Sequence, residues 1–128
     1  MPRKKQSALP PGFFERVAAL RRRISAGIQQ GFGVVRDLDL TLAQALALFH
    51  LGEVGPASVT ELMAVVGRSQ SSTSALVDQL EARGFVTREP SATDRRRRDV
   101  RLTDRGHEVV DQVEAARREG LERALAGV

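Results

Sequence analysis

Between Ser58 and Gly84 the chain writes two helix starts with only Gly67 and Arg68 separating the end of one helix from the start of the next. No other feature constrains the fold as much. Ser58-Val59-Thr60-Glu61 is a capping box, in which hydroxyl and carboxylate each satisfy a backbone N–H that has no helical partner. Leu62, Val65 and Val66 give that helix a buried face, and Gly67 suits the left-handed residue after its end. Ser69 caps the next helix, with Leu76, Val77 and Leu80 facing inward and Gly84 as terminator. Two short helices joined by a tight glycine-containing turn are the signature of a helix-turn-helix unit.

The remaining segments frame this pair. Phe13, Val17, Leu20, Ile24, Ile28 and Phe32 recur at helical spacing, and the stripe predicts a helix from Phe13 to about Gly31. Gly27, Gly31 and Gly33 weaken its end, and Arg36 to Leu40 reads as a connection. Thr41-Leu42-Ala43-Gln44 is a second capping box, opening a helix that is apolar nearly all round and therefore central. After Gly84 the period changes from 3.6 to 2. Phe85–Glu89 and Val100–Leu102 have strand character, and the polar stretch from Pro90 to Asp99 joins them as a long-tipped hairpin. Thr103 caps a last helix whose inner side carries Val109 or Val110, Val113, Ala116 or Arg117, Leu121 and Leu125. The fold class is mainly α with a small β-hairpin.

Length and composition exclude several classes. A chain of 128 residues is one domain, preceded here by a basic leader over 1–12 that is expected to be flexible. No apolar run reaches the ~18 residues of a membrane span, and no apolar segment follows the basic start as in an export signal. Cytoplasmic location is the expectation. With no cysteine, thiolate metal sites, disulfides and thiol redox switching are ruled out. Only His50 and His107 supply imidazole, no Gly-rich phosphate loop or nucleophile elbow is present, and neither a metal, a cofactor nor an enzymatic activity is expected.

Charge is more informative in its distribution than in its net value of +4. Of the 20 basic residues 18 are arginine, and Arg95-Arg96-Arg97-Arg98 lie consecutively at the hairpin tip, flanked by Asp94 and Asp99. Such a run repels itself, and phosphate neutralisation or entry into a narrow minor groove gives it a use. The flanking carboxylates can orient guanidiniums by bidentate pairing. Ser69-Gln70-Ser71-Ser72-Thr73-Ser74 crowds polar side chains, poor helix formers, into the first turns of the fourth helix. Small hydroxyls reach phosphates and base edges, and Gln pairs with adenine. The plainer alternatives are serines that cap and solvate a helix start and a tip whose charge serves solubility.

Four blocks give the chain a resemblance to the MarR winged-helix regulators. They are Leu42-Ala43-Gln44; Ser58-Val59-Thr60-Glu61-Leu62; the run from Leu76 through Gly84 to Val86; and Asp94-Arg95-Arg96 continuing to Val100-Arg101-Leu102-Thr103-Asp104-Arg105-Gly106. The resemblance implies a winged helix-turn-helix over 41–102, an N-terminal dimerisation helix over 13–37 and a C-terminal helix over 103–128. It implies a double-stranded-DNA-binding regulator, a repressor, with recognition helix 69–83 in the major groove and wing 90–99 at the minor groove. DNA-binding residues are then Arg68, Ser69, Gln70, Ser71, Ser72, Ser74, Asp94, Arg95, Arg96, Arg97 and Arg98, with the family's Asp-x-Arg falling on Asp94 and Arg96.

A homodimer is also implied, joining Phe13, Phe14, Val17 and Leu20 of one copy to Leu121 and Leu125 of the other. Phe32, Phe49 and His50 become candidates for a small aromatic or phenolic effector site, against packing for the phenylalanines and a surface role for the histidine. Two departures stand out. The family's further C-terminal helix has no counterpart before Val128, and Ala75 stands where many relatives carry a larger polar or basic residue. The first motivates a different expectation, a winged-helix protein-interaction module with reduced dimerisation.

Overall fold

Thr41, Ser58, Ser69 and Thr103 each cap the helix that follows, their hydroxyls accepting from the N–H groups of Gln44, Glu61, Ser72 and Gly106 at 3.1–3.2 Å. Each such cap contributes about 1 kcal/mol. In the computed structural model, which describes residues 8–126, these caps open α2 (Leu42–Val54), α3 (Val59–Val66), α4 (Gln70–Ala82) and α5 (Asp104–Leu125). Ahead of them stands α1 (Phe13–Asp37), and between α4 and α5 lie β1 (Val86–Pro90) and β2 (Arg98–Leu102). Both expected capping boxes are complete, with Gln44 and Glu61 returning a bond to the N-cap backbone. Most of the basic leader, residues 1–7, lies outside the described residues.

The core sits where α2, α3, α4 and the hairpin meet. Leu48, Leu62, Leu76, Val77, Leu80, Phe85, Val86 and Val100 are essentially sealed from solvent. Burying a side chain of this kind contributes about 1.5–3 kcal/mol, so the helix-turn-helix is anchored by packing rather than by propensity. Gly67 takes φ 67, the left-handed conformation that lets α3 end and α4 begin within three residues. The far end of α4 is bolted to the α1–α2 joint, where Arg83 donates to the carbonyls of Leu38 and Asp39. Gln44 donates to Gln79 Oε1 at 3.0 Å, a second tie between α2 and α4.

The hairpin is antiparallel, with Val86 opposite Leu102 and Pro90 opposite Arg98. A third piece of backbone joins it: Ala57 and Val100 exchange N–H···O bonds of 3.1 and 2.7 Å. Here the strands differ from the sequence expectation. Strand β2 reaches back to Arg98, so the tip is Ser91–Arg97, closed by Ser91 N–H to Arg97 O at 2.8 Å and Arg97 N–H to Asp94 O at 3.1 Å.

The first helix departs from the end that its periodicity suggests, running six residues past Gly31 to Asp37, the span that the resemblance implies. Gly27 and Gly31 do not end it because they are where it touches α5. Gly27 and Gly31 are buried, as are Val113 and Gly120 on the facing helix, and Val35 continues the same side. That small-residue face packs inward, so the large apolar stripe does not. Val17, Leu20, Ile24, Ile28 and Phe32 remain 37–48% exposed, and Phe14 68%.

Candidate nucleic-acid interface

Residues at the start of α4 divide by direction. Thr73 is fully buried and its hydroxyl donates to Ser69 O at 2.8 Å. The Ser69 hydroxyl is engaged as the cap and lies 3.4 Å from Ser71 Oγ. Ser74 is half-buried and turned toward the hairpin, its carbonyl and Oγ receiving Arg88 at 3.3 and 3.5 Å. Arg68, Gln70, Ser71 and Ser72 are exposed. Among the described residues Arg68 and Gln70 make no side-chain hydrogen bond or ion pair, so the groups open to a partner are an arginine, an amide and small hydroxyls at a helix N-terminus.

The hairpin's arginines fall into two sets. Arg88 is clamped against α4 by Asp78 at 2.7 Å and Glu81 at 3.1 Å. Arg97 bridges Glu61 at 2.5 Å and Asp99 at 3.0 Å, and Arg101 faces Glu89 at 3.4 Å. Arg95, Arg96 and Arg98 have no carboxylate partner among the described residues, and Arg98 donates to Arg88 O at 3.2 Å. Asp94 acts on backbone rather than on a guanidinium, accepting the Arg96 N–H at 3.0 Å and so shaping the tip. The pairing of Asp99 with Arg97 is through Nε alone, not bidentate.

Glu61 carries the shifted carboxyl of this region. The hydrogen bond from Arg97, and then the Ser58 N–H, hold it below the usual carboxylate range. The same contact, reinforced by Asp99, raises the Arg97 guanidinium above its ordinary value. Sequence reasoning had read Glu61 only as a cap and had not singled out Arg88. The available signal is Asp78 and Glu81, two acids three residues apart on one helical face, a spacing that suits a shared basic partner.

The residues assigned to dimerisation lie apart from this surface. Phe13 and Phe14 meet edge to face at 5.7 Å, and Phe14, Val17 and Leu20 face solvent. Leu121 and Leu125 are half-buried, with the Leu121 backbone against Gly27 of the same chain. Phe32 and Phe49 line one cavity with Ile28, Gly31, Val35, Val113, Glu114 and Arg117, and His50 does not. This partly open cavity has a volume of about 70 Å³, smaller than the roughly 150 Å³ of an apolar cavity that takes up benzene.

A helix-turn-helix with an arginine-tipped hairpin stitched to its second helix has known counterparts. The MarR family model matches residues 38–97, from the α1–α2 joint to the hairpin tip. Transcriptional regulator Tm0710 of Thermotoga maritima is 32% identical, over 89% of this chain and 79% of that one, with a TM-score of 0.75. This chain belongs to the MarR family. A MarR family protein of Bacillus stearothermophilus is 28% identical, over 92% of this chain and 83% of its own, with a TM-score of 0.69. A mutant of Staphylococcus aureus MepR bound to an oligodeoxyribonucleotide shares the fold at 24% identity, covering 87% and 82% of the two chains, with a TM-score of 0.68. As a MarR family chain, the molecule is a winged-helix transcription regulator, with α3 and α4 as its helix-turn-helix and the hairpin as its wing. No helix among the described residues is long and apolar enough to cross a membrane.

Proposed function

We propose that this MarR family chain is a cytoplasmic homodimer that binds double-stranded DNA sequence-specifically and represses transcription. The observation that carries the reading is the Arg88 clamp. By tying the wing stem to Asp78, Glu81 and the Ser74 carbonyl, it makes the polar start of α4 and the wing guanidiniums one unit. In the reading, α4 enters the major groove, where Gln70, Ser71 and Ser72 contact base edges and Arg68 and the helix N-terminus take phosphates. Arg95, Arg96 and Arg98 reach the neighbouring minor groove or its phosphates. The MepR structure supports it as a relative of the same fold seen with an oligodeoxyribonucleotide.

Dimerisation is supported by the unpartnered α1 stripe, which a second copy would cover. A phenolic effector would need walls from that second copy, because the cavity beside Phe32 and Phe49 is too small in one chain. The test is selection of bound duplexes from a random pool, with sedimentation of the free protein. A dimer that enriches a palindrome with half-sites about 10 base pairs apart is the expected result. A monomer without duplex affinity at low salt would overturn it in favour of a protein-interaction module.

A further inference from the structure

The wing tip is held by more than its own two strands. Midway along β2, Ala57 and Val100 exchange a pair of backbone hydrogen bonds. Further along both segments, Glu61 Oε1 meets an Arg97 terminal nitrogen at 2.5 Å. From 57 to 61 on one side and from 100 to 97 on the other, the contacts run in antiparallel step. The hairpin is therefore tied at two points, at mid-strand to the backbone just before α3 and at its tip to the first turn of α3. Glu61 divides its oxygens between two tasks, with Oε2 accepting the Ser58 N–H at 3.1 Å and Oε1 holding Arg97. Arg97 in turn spans two carboxylates, its Nε donating to Asp99 at 3.0 Å.

We propose that Glu61 and Arg97 are a positioning pair that sets where the wing stands relative to α4, and that Arg97 is not a phosphate ligand. The inference rests on the DNA-binding reading above. Two carboxylates already neutralise Arg97, and Arg97 with Glu61 and Asp99 carries a net negative charge. A phosphate approaching the remaining Arg97 terminal nitrogen would meet the repulsion of both acids, whereas Arg95, Arg96 and Arg98 face no such competition among the described residues. Four consecutive arginines are thus three that present charge and one that fixes their direction. Glu61 sits on α3 and Arg88 holds α4, so the wing is fastened to both helices of the helix-turn-helix.

The test uses the full chain with Arg97→Ala, Glu61→Gln and the double variant. Gln at position 61 keeps an amide oxygen for the Ser58 N–H, so the α3 cap survives while the charge is lost. Two readouts are taken: affinity for a random-sequence duplex of about thirty base pairs across a salt series, and amide hydrogen exchange of residues 91–97 in the free protein. Each single variant is expected to bind about three- to fivefold more weakly, the upper part of the range of an exposed ion pair. The slope of log affinity against log salt stays unchanged, and the double variant is no weaker than the singles. Tip amides exchange faster in both variants without DNA.

A slope reduced by about 0.9 in Arg97→Ala would make Arg97 a phosphate ligand and overturn the assignment. Tighter binding by Glu61→Gln would overturn it too, showing Glu61 to be a competitor of DNA. If the unaltered chain binds no duplex, the DNA-binding reading is what fails. The exchange data then decide the pair alone, with faster tip exchange upholding it and unchanged exchange overturning it.

Discussion

Gly27 and Gly120 face each other where α1 crosses α5, so closely that a methyl on Gly27 would stand 2.7 Å from the Leu121 backbone nitrogen. A methyl on Gly120 would stand 2.8 Å from the Gly27 carbonyl. The crossing explains two features together. The glycines that ought to weaken α1 instead let it approach α5, and α1 spends its small-residue face on that contact, leaving the large apolar residues outside.

Replacing Gly27 with Ala should therefore destabilise the chain although Ala is the better helix former. Overpacking against rigid backbone costs about 1–3 kcal/mol, against a propensity gain of about 1 kcal/mol. The melting temperature should fall by about 5 °C. Gly33→Ala is the control, since nothing lies within 4 Å of a Cβ there, and it should raise the melting temperature. A Gly27→Ala melting temperature raised as much as that of Gly33→Ala would contradict the close crossing.

The stripe that this packing leaves outside makes a second prediction. Leu20 and Ile24 are 41% and 37% exposed in the single chain, so charging them removes no core contact. Leu20→Lys with Ile24→Lys should convert the proposed dimer to a monomer in equilibrium sedimentation while the far-ultraviolet circular dichroism keeps its helical amplitude. A dimer that persists in the double variant would place the interface elsewhere.

Local signals proved the most legible part of the sequence. The caps at Thr41, Ser58, Ser69 and Thr103 are short-range chemistry, complete within four residues, and each opens the expected helix. The period of α1 was equally plain, but its direction was not. A stripe says that one face is apolar; it does not say whether its own chain covers it, and here Gly27, Gly31 and Val35 took that place. In the wing, the run Arg95–Arg98 reads as uniform charge. Sorting it requires knowing that Glu61, some thirty-six positions away, stands beside Arg97. Pairings over that range follow from the fold and not from spacing.

Acid should loosen that pairing. The Glu61 carboxyl is held below its ordinary value of 4.5 by Arg97 and by the Ser58 N–H. A carboxyl whose pKa falls on folding adds stability that is fully present above its unfolded value and is lost as pH drops through the folded value. Urea midpoints of the unaltered chain should therefore decline below pH 4.5, and more steeply than those of Glu61→Gln, which has no proton to take up there. Parallel declines for the two proteins would show that the Glu61 carboxylate adds no pH dependence.

Salt and sequence preference should separate the two halves of the proposed interface. Arg95, Arg96 and Arg98 lack carboxylate partners among the described residues, so each is free to release a counterion from DNA when it meets a phosphate. Changing all three to Ala should reduce the salt slope by as much as about 0.9 for each phosphate no longer neutralised, while a selected site keeps its preferred sequence. Gln70→Ala with Ser72→Ala should do the reverse. These exposed side chains would touch base edges, so affinity for the selected duplex falls about tenfold or more relative to a scrambled one, with the salt slope held. Competition binding with selected and scrambled duplexes measures both effects. If the triple arginine variant instead loses its sequence preference at an unchanged slope, the wing reads sequence and α4 grips the phosphates, the opposite of the division of labour proposed.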